Sequence, residues 1–404
     1  MRLMSIPRFM VGDREAIQSI ATCRHGLLIG LLLVFSAALA REYDAEYLVK
    51  EPWHLLISLG SSLVASVLFF VTTYRIALNR RIEKGQFLQA MRAFVTLFWM
   101  TAPLAWLYAI PFERFLSPMS AVYANLWVLK IVSVWRLFLM IKIFSLFWGC
   151  GFKAAFMCVM LIADIMMLVA LAIAPFPVIN LMGGIRLTGL TEVVANTAFT
   201  MQFLGACTLP IWLLGVFVIY FERNPSWKLT DVRCRDGADR WTILAAAGSV
   251  LCWLPVLPWT QTEQKIRYET ESLLMKGRIK EGLEYMSGRK ADDYPPHWQP
   301  PPRPLFGVYK PRLIDVMLVV IESPPAPWVA DAYVGRFERM LQLPFWLRLW
   351  WLRPEEERNK ILLILEHMPF GPSNARQNLE QIEKRQGELS QEFLDRVRAL
   401  ANRK

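Results

Sequence analysis

The stretch Ala154-Ala155-Phe156-Met157-Cys158-Val159-Met160-Leu161-Ile162-Ala163-Asp164-Ile165-Met166-Met167-Leu168-Val169-Ala170-Leu171-Ala172-Ile173-Ala174-Pro175 carries one charged residue, Asp164, in 22 positions. A bilayer core is crossed by about 20 predominantly apolar residues in helical form, because hydrocarbon offers unpaired backbone groups no partner. The stretch therefore reads as a transmembrane helix. Similar runs lie at 24–40, 54–74, 93–111, 120–141, 200–221 and 241–259, and none follows in the last 144 residues. The expected fold is all-α: a polytopic helical membrane bundle of about seven transmembrane helices with a mainly helical C-terminal extramembrane domain. Three parts follow: a cytoplasmic N-terminal segment (1–23), the seven-helix domain (24–260), and the C-terminal domain (261–404) with a Pro-rich spacer at 294–311.

Composition agrees with that class. The 404 residues are 55% hydrophobic and include 16 Trp and 24 Phe, which membrane interfaces absorb as aromatic belts. The net charge of +11 is uneven: 22 Lys/Arg face 14 Asp/Glu up to residue 260, against 23 and 20 beyond it. The basic excess thus flanks the apolar runs, where it sets orientation and meets anionic headgroups; nucleic-acid binding is excluded as its explanation. The six cysteines form no CxxC pair, and those within apolar runs read as small hydrophobes.

The flanks give an orientation. Sixteen basic residues fall on one side, from Arg2, Arg8, Arg14 and Arg24 to Arg233, Arg235 and Arg240; only Arg41, Lys50, Arg114 and Arg186 fall on the other. By the positive-inside rule the N-terminus is cytoplasmic, and seven crossings place the C-terminal domain outside the cytoplasm. Ala38-Leu39-Ala40 after a short apolar core also matches a signal-peptide cleavage site, but Gly26 and Gly30 suit a retained helix. Either reading leaves residue 41 on the outer face.

Within the runs, Gly26/Gly30 and the series Ser58, Ser62, Ser66 recur every four residues and are expected to form packing seams inside the bundle. Pro103 and Pro210 are expected to kink their spans. Lys130 and Asp164 lie equally far from a turn centred near residue 147, which predicts an intramembrane ion pair. A lone charge at the bilayer centre costs about 3 kcal/mol on insertion scales, so a partner is expected.

The C-terminal domain opens with helices over Thr260–Met275 and up to Met286, broken at Lys276-Gly277-Arg278. Tyr294-Pro295-Pro296-His297-Trp298-Gln299-Pro300-Pro301-Pro302 reads as a stiff spacer of polyproline type packed over the surface. Phe345, Trp346, Trp350 and Trp351, mixed with arginines, suit the headgroup boundary. HExxH, GxSxG, Walker-type and GxGxxG motifs are absent, and four scattered histidines make no histidine-rich centre. No catalytic, cofactor-binding or metal-ligating residue is expected.

Glu42-Tyr43-Asp44-Ala45-Glu46-Tyr47 through Glu51-Pro52-Trp53-His54-Leu55-Leu56, and Phe98-Trp99-Met100-Thr101-Ala102-Pro103 through Phe115-Leu116-Ser117-Pro118, resemble uncharacterised bacterial multi-pass membrane proteins. The resemblance covers mainly the first 150 residues. It implies a bacterial inner membrane, with no known activity and no functional residues to carry over. The expected function is a membrane anchor or scaffold presenting a periplasmic interaction domain. Its partners are the lipid bilayer and an envelope protein met through the C-terminal domain. The alternative is a small-solute or ion transporter using Lys130 and Asp164.

Overall fold

A computed structural model describes residues 1–77, 84–173, 189–222, 229, 232–234, 237–302, 311–341, 354–367 and 391–401. The described residues are helical and contain no strand. They divide into two compact units, one of residues 1–174 with 193–264 and one of residues 175–192 with 265–404.

The first unit begins with two short helices, α1 (Ser5–Met10) and α2 (Arg14–Ala21). The Asp13 carboxylate starts α2 by accepting from the Ala16 N–H at 2.8 Å, satisfying one of the free donors of a helix start. Next come α3 (Gly26–Glu42), α4 (Trp53–Ala77) and α5 (Lys84–Trp99). Pro103 does not kink a continuous helix. The chain passes at Thr101 into a 3₁₀ helix, Ala102–Ala109, with the proline in its first turn, where the missing N–H costs nothing. Helix α6 (Pro118–Trp148) starts at the N-cap Ser117 and stops at Gly149, whose φ of 61° suits a residue without Cβ. Helices α7 (Phe152–Ile173), α8 (Gly189–Glu222), α9 (Arg240–Leu251) and α10 (Leu257–Met275) complete the series. Pro210 lies inside the unbroken α8.

Five segments among the described residues are long and apolar enough to cross a membrane: Trp53–Arg75, Gln86–Arg114, Pro118–Trp148, Phe152–Ala172 and Val193–Phe221. The expected spans at 24–40 and 241–259 fall on the two shorter helices. At 1.5 Å per residue, the 17 residues of α3 reach about 25 Å and the 12 of α9 about 18 Å, against a core of about 30 Å.

Helix α3 is nevertheless the post around which the unit packs. It touches α4, α5, α9 and the 3₁₀ helix, and buries Ile29, Leu33, Val34 and Ala37 through Ala40. Close approach explains its glycines: a Cβ on Gly26 would stand 2.7 Å from Thr96 Cγ2, and one on Gly30 3.0 Å from Trp99 Cβ. On α4, Ser66 is fully buried and donates to Leu63 O, while Ser58 and Ser62 are half-buried. Beside that face, Phe69 and Phe70 meet Phe94 of α5 at ring separations of 5.7 Å each, and Phe70 lies 6.0 Å from Trp148.

The second unit has its own core, built on Met286, Met317, Tyr333, Phe337, Leu362 and Ile364. These come from α11 (Ile279–Ser287), α12 (Leu313–Glu322), α13 (Pro327–Leu341) and α14 (Glu355–His367); α15 (Gln391–Ala401) adds Phe393 and Leu400. The Pro-rich stretch is seated on this core: Tyr294 stacks on Trp298 at 4.3 Å, and the Tyr333 hydroxyl donates to Pro301 O at 2.9 Å. The interfacial residues Phe345, Trp346, Trp350 and Trp351 lie outside the described residues, as does the spacer from 303 to 310.

Gly26→Val and Gly30→Val should each lower stability by about 2 kcal/mol, the usual cost of overpacking. Gly60→Ala, on an open face of α4 with nothing within 4 Å of the added carbon, should not lower it. Thermal unfolding of the purified protein in one detergent compares the three variants.

Candidate functional site

Where helices are this apolar, polar side chains mark what is fastened to what. Three such places stand out in the first unit. One lies at the C-terminal end of α3. Arg114 makes a two-pronged pair with Glu263 (2.7 and 3.1 Å) and a second contact with Asp44 at 3.0 Å. Beside it, Thr260 Oγ1 donates to Tyr43 O at 2.6 Å, Gln261 Nε2 to Tyr43 O and Glu46 O, and Gln264 Nε2 to Asp44 O. The Tyr43 hydroxyl closes the set by donating to Ala109 O at 2.8 Å. Loop 43–48, the end of the 3₁₀ helix and the first turns of α10 are thus one polar clasp. Burial pushes the Tyr43 phenol up to about 12. It also pushes the Asp44 carboxyl up, against the downward pull of Arg114.

A second clasp surrounds the N-terminal end of α3. Arg92 donates to Cys23 O, Ala21 O and Val232 O. Ala238 N–H donates to His25 Nδ1, and Met1 exchanges backbone bonds with Gly237 and Asp239. Midway, Ser36 is fully buried: it donates to Ser249 O at 2.6 Å and accepts from the indoles of Trp106 and Trp253.

The third place is the seam between α7 and α8. Asp164 is 7% exposed. Its Oδ2 lies 2.5 Å from Thr208 Oγ1 and 2.8 Å from Trp212 Nε1. Gln202 Nε2 donates to Leu171 O, while Gly205 and Gly215 let α8 approach Met167 and Met157. Residues 202, 205, 208, 212 and 215 recur at intervals of three or four, so one face of α8 makes the whole seam.

The ion pair expected between Lys130 and Asp164 is not formed. Lys130 is exposed, with its ammonium 4.8 Å from the Trp127 ring centre, and Asp164 turns to α8. The physical reason is twofold. The turn sits at Gly149–Cys150 rather than 147, leaving Lys130 19 residues from it and Asp164 14, an offset of about 7 Å along the helices. Equal depth also fixes no rotation about the helix axis. The Arg136 guanidinium lies 4.6 Å over the Phe98 ring.

Sequence reasoning missed Thr208, Trp212, Ser36 and the Gln261 clasp. A threonine and a tryptophan four apart between two glycines in an otherwise apolar run was the signal for the first two. Glu46, Glu51 and His54, all half-buried, bring one ligand atom each within 4.8 Å of one another. Among the described residues they are the group that could hold a metal ion, but a tetrahedral zinc would draw such atoms to about 3.4 Å. In comparison with known proteins, no protein-family model, curated protein or solved structure matches the chain.

Arg114→Ala should destabilise the protein by about 2 kcal/mol, between the values for exposed and buried pairs, since its partners are about three-quarters covered. Arg114→Lys should recover less than half, because an ammonium lacks the two-pronged fit. Without Arg114 the folded-state carboxyl of Asp44 rises further. The loss should therefore be smaller at pH 4 than at pH 8, where Asp44 and Glu263 are ionised and unneutralised. Unfolding midpoints across that range check the sign.

Proposed function

We propose that the chain is a multi-pass inner-membrane protein that anchors its C-terminal unit outside the cytoplasm and presents it as an interaction domain. Among the described residues, five helices are long and apolar enough to cross a bilayer. The seven-crossing topology rests on the observation that polar clasps close the two ends of α3. The N-terminal segment belongs to one, and the start of α10 to the other. An odd number of passages separates them, and α3, covered by its neighbours, and α9 then count as crossings.

Charge supplies the direction. Arg2, Arg14, Arg24, Arg92, Arg233 and Arg240 gather near the N-terminal clasp, in keeping with a cytoplasmic side. The separate hydrophobic core of the second unit supports a presented domain rather than a loose tail. The alternative, solute or ion transport, loses Lys130 as the counter-charge of Asp164.

A reporter active only outside the cytoplasm, fused after Lys404, should be active; activity confined to a cytoplasmic reporter overturns the topology. Cys234 is exposed beside the N-terminal clasp and should react with a membrane-impermeant maleimide only when the cytoplasmic face is opened. Cys150, buried and with its thiol pushed up to about 12, should stay silent at pH 8. Recovery of the intact protein from mild detergent tests the presenting role, which fails if lipids alone accompany it.

A further inference from the structure

Helix α6 turns one stripe of side chains inward. Val132, Leu139, Met140 and Ile143 are buried, while Ile131, Val134, Trp135 and Phe138 are exposed. Arg136 stands four residues after Val132 and three or four before Leu139 and Met140, so it belongs to the buried stripe. Its guanidinium lies over the Phe98 ring, whose face attracts the charge but leaves the in-plane N–H groups without acceptors. Two other arginines of this unit are answered, Arg92 by three backbone carbonyls and Arg114 by two carboxylates. Arg136 has no hydrogen bond or ion pair among the described residues, and no carboxylate there bears on it electrostatically.

Two more donor groups stand beside it. Helix α6 packs on the 3₁₀ helix, and the Tyr43 hydroxyl, donating to Ala109 O, ties the last turn of that helix to the end of α3. Tyr108 and Arg41 flank this tie in sequence, and both are within electrostatic reach of Arg136. Tyr108 is half-buried, and its hydroxyl makes no hydrogen bond among the described residues. Arg41 is exposed, which opens the cluster to the outside of the bundle; Glu42 acts on it electrostatically without an ion pair. An unpaired charge within a membrane helix is costly enough that it is neutralised or given a partner. A guanidinium does not lose its proton in proteins, which leaves the partner.

We infer that Arg136, Tyr108 and Arg41 form an anion site, at the junction of α6, the 3₁₀ helix and the end of α3, that takes a phosphate group. A guanidinium fork meets two oxygens at once, and a tetrahedral phosphate can turn its oxygens to the phenol and the second arginine as well. A carboxylate has two oxygens in one plane for the same three groups. The phosphodiester of an anionic lipid and a dissolved phosphate offer the same chemistry. Bound there, either offsets the charge of Arg136 and fastens α6 to the clasp end of α3. The inference is independent of the presented C-terminal unit and stands if that unit has no partner.

Native mass spectrometry of the full-length protein, delipidated in mild detergent, tests it with phosphatidylglycerol, diacylglycerol and inorganic phosphate as probes. Wild type should hold one phosphate-bearing probe that Arg136→Gln binds at least about tenfold more weakly, as when one side of a buried charge pair is removed. Tyr108→Phe, which removes one hydroxyl, should weaken binding less. Retention of phosphatidylglycerol but not of inorganic phosphate makes the membrane the source, and the reverse makes it a dissolved anion. Where Arg136→Gln does not fold, Arg41→Gln, at an exposed position, carries the comparison. Three outcomes overturn the site: wild type binds neither phosphate-bearing probe, the variant binds them as tightly as wild type, or diacylglycerol is held as tightly as phosphatidylglycerol.

Discussion

Hydrocarbon supplies no hydrogen-bond partner, so a polar group inside the bundle is costly unless protein answers it. Ser36 shows the consequence most plainly. Its hydroxyl gives its hydrogen to Ser249 O and receives two indole N–H groups, so one buried oxygen joins α3, the 3₁₀ helix and the turn after α9. The small residues Ala37, Ala38 and Ala40 that flank it let the 3₁₀ helix lie close enough for the bonds to form. The same rule governs the ends of α3, where the free carbonyls of Ala21 and Cys23 are taken by Arg92, and that of Tyr43 by Thr260 and Gln261.

How much of this was legible in the sequence follows from what each signal encodes. Length and hydropathy speak of a helix's environment, so the five long apolar helices could be read directly, and the helix break at Lys276-Gly277-Arg278 was equally plain. The four-residue spacing of Gly26 and Gly30 encodes a groove but not its occupant, which is α5 through Thr96 and Trp99. Partner choice across helices is poorly encoded because it depends on rotation and crossing angle as well as depth. That is why Lys130 and Asp164, matched by depth, do not meet, while Asp164 finds Thr208 and Trp212, 44 and 48 residues away.

The second unit was legible in a different way. Its helix starts are written in local chemistry: Asp315 accepts from Arg312 N–H at the start of α12, and three glutamates open α14 after Pro354. The Pro-rich stretch lacked such a code. Its prolines fix an extended backbone, but the anchor is Tyr294, buried between Trp298 and Trp328, with its hydroxyl 3.0 Å from Thr270 Oγ1. Aromatic residues interleaved with prolines signal packing as readily as reach, and here they pack.

The shortness of α3 then has a physical reading. A helix facing lipid must be apolar over the whole core thickness, since every exposed turn meets hydrocarbon. A helix shielded by its neighbours is released from that requirement. Helix α3 is covered by α4, α5, α9 and the 3₁₀ helix, and its last turn can carry Arg41 and Glu42 because the clasp begins there. Helix α9 ends at Leu251, and the chain continues through turns at 252–256 in which Trp253 bonds Ser36 and stacks on Tyr43. In the seven-crossing topology proposed above, length criteria suited to lipid-facing helices pass over α3, which has a buried polar hub in its middle and clasps at both ends.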